Sequence, residues 1–119
     1  MTTLKTVTAA LAAAFIVAVA LPTLAVADVT ADQISAARTA ADHEAIARAY
    51  DADAAEADAR AGEHEAMARA YRNVGGPKAA SSPMVSHCNR LVREYRELAK
   101  EFRALADEHR KMAREAPAG

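Results

Sequence analysis

Residues 43–71 read HEAIARAYDADAAEADARAGEHEAMARAY, a stretch that opens and closes on nearly the same word. His43-Glu44-Ala45-Ile46-Ala47-Arg48-Ala49-Tyr50 returns as His64-Glu65-Ala66-Met67-Ala68-Arg69-Ala70-Tyr71, matching at seven of eight positions 21 residues later. Twenty-one residues are three heptads, so both words face the same way along a packed helix. A looser version follows downstream. Shifting residues 43–71 by 45 onto 88–116 gives 11 identities in 29 positions, among them Tyr50/Tyr95, His64/His109, Met67/Met112 and Arg69/Arg114. The chain therefore reads as two helical copies of one unit, with Cys88 where the other copies of the word carry histidine.

The flanking punctuation sets the boundaries. Seventeen alanines lie among residues 28–75, with no proline and a single interior glycine, Gly62, before Gly75, so helix is the periodic structure open to that stretch. Thr30-Ala31-Asp32-Gln33 is a capping-box start. Val74-Gly75-Gly76-Pro77 stops a helix, and Ser82-Pro83 supplies an N-cap with proline at the first helical position. A helix over about 30–73, a loop over 74–82 and a second helix over about 83–115 are expected, with a kink possible only at Gly62. Residues 28–75 carry ten acids against five arginines, whereas 76–119 carry nine bases against six acids. Opposite charge favours the two helices lying side by side. The expected fold is all-α, an antiparallel helical hairpin with internal duplication. A hairpin cannot enclose a core of its own, so two chains are expected to dimerise into a four-helix bundle.

Ahead of the hairpin, residues 1–27 have one positive charge at Lys5, an uncharged apolar run from Val7 to Leu21, Pro22 as breaker, and Ala25-Val26-Ala27. That is the pattern of an export signal with an A-x-A cleavage site. It implies a periplasmic or secreted domain over 28–119 with no stable membrane insertion after cleavage. Formal net charge is −1 over 119 residues, and no basic tail or interleaved aromatic cluster is present, so nucleic acid is not an expected partner.

Catalysis finds little support. Both HEAxA words begin like the zinc-protease H-E-x-x-H and then place alanine where the second histidine must stand. His87 and Cys88 are neighbours on a helix, pointing about 100° apart, a poor base and nucleophile. Glycine-rich phosphate loops are absent, and no enzyme activity is expected.

The residues that carry chemistry lie on the apolar stripe. In the second helix that stripe is drawn through Met84, Cys88, Leu91, Tyr95, Leu98, Phe102, Leu105, His109 and Met112. Folding the chain back at 75–80 brings two groups together: His64, Met67 and Cys88, with His87 adjacent, near the turn; and His43, His109 and Met112 at the open end. Imidazole, thioether and thiolate form a soft donor set that suits Cu(I) and disfavours Mg or Ca. The expected function is sequestration or transfer of Cu(I). Haem held between histidine and methionine is the alternative metal reading, without covalent attachment since C-x-x-C-H is missing. A periplasmic helical interaction module, with Cys88 free for an intermolecular disulfide, is the non-metal one.

Overall fold

A computed structural model describes residues 28–117. The expected export signal over 1–27 lies outside the described residues. Three α-helices follow in order: α1 (Ala31–Ala36), α2 (Ala40–Val74) and α3 (Pro83–Glu115), with a 3-10 turn (Gly76–Ser81) between the last two. Helices α2 and α3 pack against each other as an antiparallel hairpin, and no strand occurs among the described residues. Nor is any described helix long and apolar enough to cross a membrane.

The first helix ends sooner than the alanine content suggests. Thr30 and Gln33 form the expected capping box, the Thr30 hydroxyl accepting from the Gln33 amide at 3.2 Å while the Gln33 side chain accepts from the Thr30 amide at 2.8 Å. A second box, Thr39 with Asp42, starts again nine residues later: the Thr39 hydroxyl accepts at 3.2 Å, and Asp42 accepts from the amides of both Thr39 and Arg38 at 2.9 Å. Those backbone donors hold the Asp42 carboxyl below its usual range. A helix cannot be continuous through an N-cap with extended dihedrals, so the chain breaks at Ala37–Thr39 and α2 begins afresh.

Helix α2 then runs 35 residues through Gly62 without interruption. At its end Gly75 donates to the Tyr71 carbonyl at 3.2 Å. A Cβ on Gly75 would lie 2.7 Å from that of Ala79, and Gly76 takes φ +69°, a left-handed conformation that glycine adopts without strain. Ser82 caps α3 through the Met84 amide at 3.2 Å, with Pro83 at the first position as expected. The open end of the hairpin is tied by the Ala40 amide donating to the Pro117 carbonyl at 3.1 Å.

What joins the long helices is a seam of small side chains. Ala47, Ala54, Ala61 and Ala68 of α2 and Val85, Val92, Ala99, Ala106 and Ala113 of α3 are buried, each set in steps of seven residues. Beside it runs a second seven-residue series of mostly larger residues: His43, Tyr50, Ala57, His64 and Tyr71 facing Cys88, Tyr95, Phe102 and His109. Small next to large is how two antiparallel helices interdigitate at close range. The opposite flank is closed by Arg110 with Asp51, Arg103 with Asp58 and Arg96 with Glu65. Each step of seven down α2 is a step of seven up α3, so these pairs fix register along the hairpin. Being largely exposed, each adds little stability.

The stripe read from the sequence merges two faces that the structure separates. Cys88 and His109 are buried, whereas Met84, Leu98, Leu105 and Met112 are 42–46% exposed and Met67 is 40% exposed. They stand one position before the seam, outside the contact that the alanines and valines make. Two substitutions test the hairpin, one on its open face and one in the seam. At Gly62 an added Cβ meets nothing within 4 Å, so Gly62→Ala is expected to raise unfolding free energy by about 1 kcal/mol in denaturant titration. Ala99 is fully buried in the contact with Ala54 and Ala57, and Ala99→Leu is expected to lower it by about 1–3 kcal/mol.

Candidate functional site

The seven-residue series beside the alanine seam determines where the histidines go. At the open end His43 of α2 and His109 of α3 meet across the interface, their Nδ1 atoms 3.1 Å apart and their ring centroids 5.4 Å apart. That separation is a hydrogen bond in which one ring donates and the other accepts, so the two rings carry different tautomers on the facing atoms. Tyr50 lies against His109 at 5.8 Å and stacks on Phe102 at 6.2 Å, which walls the pair off along the helix axis. His109 is the only buried polar or charged side chain among the described residues. Burial, and then the neighbouring His43, push its pKa below the ordinary histidine value.

Near the turn the arrangement differs. His64 stacks on Tyr95, with centroids 5.6 Å apart and planes 12° from parallel. Its Nδ1 is shut off from solvent and has no hydrogen-bond partner among the described residues. The register that sets His43 opposite His109 and Tyr50 opposite Phe102 places Cys88 opposite His64. Cys88 is a buried, free thiol. A buried polar nitrogen without a partner is costly, and this one sits on the thiol's level of the seam.

The two expected groups thus form only in part. His43 and His109 come together, and His64 shares a level with Cys88. Met67 and Met112 sit one turn from His64 and His109 but on the exposed ridge rather than in the seam. His87 turns away from Cys88 to the surface, where it accepts from the Arg90 guanidinium at 2.9 Å. No three His, Cys, Asp or Glu side chains converge as a metal-binding group among the described residues. A third ligand at either level would therefore be a methionine sulfur or come from outside. Glu63 pairs with Arg60 at 3.1 Å on the surface and supports neither histidine. The sequence reading missed the aromatic enclosure by Tyr50, Phe102 and Tyr95. The available signal was that Tyr50 stands one heptad from His43, Phe102 one heptad from His109 and Tyr95 one heptad from Cys88.

Fold and site together define a class, an antiparallel two-helix coil with a small-residue seam and histidines in its larger layer. Comparison with known proteins gives no match: no family model fits the chain, and neither a curated protein nor a solved structure is similar to it.

The depressed pKa of His109 makes the metal-free hairpin acid-sensitive in a defined window. The unfolded chain takes up this proton near the ordinary value of 6.5, while the folded chain resists it to lower pH. The stabilisation is complete above that value and is lost as pH falls through it toward the folded pKa. Asp42 acts in the same direction only near and below its ordinary value of 3.8. Thermal unfolding is expected to shift to lower temperature between about pH 7.5 and about pH 5, with the shift reduced in His109→Gln.

Proposed function

We propose that the hairpin binds a soft metal ion, Cu(I), at the His43–His109 pair, and does so as an exported carrier rather than an enzyme. The observation that carries this reading is the convergence of two imidazole nitrogens, one from each helix, at 3.1 Å in an aromatic, part-buried layer. With metal–nitrogen bonds of roughly 2 Å, two imidazoles sharing an ion in a bent site hold their nitrogens roughly 3–3.5 Å apart. The hairpin already supplies that spacing; the ring that donates in the free protein carries its proton on Nε2 instead when the ion binds, so that both facing Nδ1 atoms offer lone pairs. Met112, one turn beyond His109 on α3, is the thioether nearest the pair along that helix, and its exposure suits a ligand that admits or releases the ion.

A second, weaker site is proposed at His64 and Cys88, with Met67 as the outer donor. An unsatisfied imidazole nitrogen and a thiol on one level favour a soft ion there, since binding would satisfy the first and ionise the second. His87, bonded to Arg90, takes no part. The buried alanine seam implies close packing of α2 and α3 with little room for a porphyrin, which favours copper over haem.

Anaerobic Cu(I) titration against a competing chelator, with helix content followed by circular dichroism, tests the reading. His109→Ala and His64→Ala are each expected to remove about one equivalent of bound ion while leaving most of the helix intact. Unchanged stoichiometry in both variants would reject it. So would loss of helix in both with no ion bound by the parent protein, which would make the histidines packing residues.

A further inference from the structure

Met84, Leu91, Leu98, Leu105 and Met112 follow one another at seven-residue steps along α3. At a rise of about 1.5 Å per residue they form a ridge about 40 Å long. Four of the five are 42–46% exposed, and Leu91 is half-buried. A continuous exposed row of leucine and methionine marks a contact surface rather than scattered surface apolarity.

Charge beside the ridge says what it contacts. Glu94, Glu101 and Glu108, each three residues beyond a leucine and all exposed, line its outer edge, with Arg90 3.7 Å from Glu94. Across the hairpin, α2 presents Asp53, Glu56 and Glu63, opposed locally by Arg60, which lies 3.9 Å from Glu56 and 3.1 Å from Glu63. Between ridge and α2 is a cleft of about 240 Å³ whose base is Ala57, Tyr95, Leu98 and Phe102. Three acids, Asp28, Asp53 and Glu56, stand at its rim against one base, Arg60, which reaches Glu56 at 3.9 Å. Partial burial and the negative charges of Asp28 and Glu56 raise the pKa of Asp53.

We propose that this ridge docks a basic amphipathic helix of another protein. The partner's apolar face lies on Leu91, Leu98 and Leu105, and its lysines or arginines meet the acidic edges on both sides. One long basic side chain lays its stem over Ala57 and Phe102 in the cleft and sets its charged head between Asp53 and Glu56. A second copy of this chain fits poorly. Face-to-face pairing would set Glu101 and Glu108 of one copy against the same edge, or against Glu56 and Glu63 with the one Arg60 they share, of the other. An anionic lipid surface is repelled by the same edges. The proposal stands on the ridge and its charges and does not depend on metal binding.

Fluorescence anisotropy tests it with two labelled helical peptides of about 18 residues, five turns, sharing one leucine face and carrying either lysine or glutamate along its edges. The protein is expected to bind the lysine peptide, and the glutamate peptide about tenfold or more weakly. Added salt should weaken the lysine complex. Leu98→Glu should weaken it about tenfold. The paired substitution Glu101→Lys with Glu108→Lys, which keeps the apolar ridge, should reverse the preference and remains decisive if Leu98→Glu disturbs the helices. No binding of the lysine peptide, or equal binding of both, overturns the proposal. A dimer in sedimentation that Leu98→Glu dissociates would also overturn it, by giving the ridge to a second copy.

Discussion

Close approach of α2 and α3 through alanine and valine is the constraint on which the rest of the hairpin depends. Side chains this small let two backbones run near each other, and the neighbouring layer must then absorb whatever is large. Tyr50, Phe102 and Tyr95 fill it, and His43, His109 and His64 occupy the remaining levels between or beyond them. Leucine and methionine one position further round have no room in so narrow a contact and stand outside. The seam buries little apolar area per residue, so the acid–arginine pairs on the opposite flank matter for register more than for energy.

The two sides of the hairpin consequently differ in chemistry. One is sealed by Arg96, Arg103 and Arg110 with their α2 partners. The other carries the histidine and aromatic layer at its base and the apolar ridge at its lip. Soft donors inside and a leucine ridge outside lie three or four residues apart on α3 and meet only at Met112, which ends the ridge and is the thioether proposed for the ion. That arrangement follows from the duplicated word itself: each copy places its histidine three residues before the matching apolar position, Ile46, Met67 or Met112.

Much of this was legible in advance, and the failures have definite causes. Glycine and proline at 75–77 with Ser82-Pro83 marked the hairpin's turn, and the Thr30 box marked the start of α1, because capping is local chemistry. The break before α2 was equally local: Thr39-Ala40-Ala41-Asp42 is a capping signal concealed by surrounding alanine. The histidine pair was legible because a 21-residue repeat preserves helical phase. The buried stripe was misassigned for a different reason. Large apolar residues attract attention as core, but which face is buried is set by partner distance, and here Ala99 and Ala106 decide it over Leu98 and Leu105. Met67 and Met112 moved outward with that face, and His87 moved to the surface for the same geometric cause.

Imidazole nitrogen-15 spectra recorded before and after one equivalent of Cu(I) under anaerobic conditions test the central claim most directly, since they report each histidine separately. The account requires the facing Nδ1 atoms of His43 and His109 to share a proton in the free protein and to shift together when the ion is added, while exposed His87 stays unchanged. Movement of His87 alone, or no movement of the pair, would contradict it.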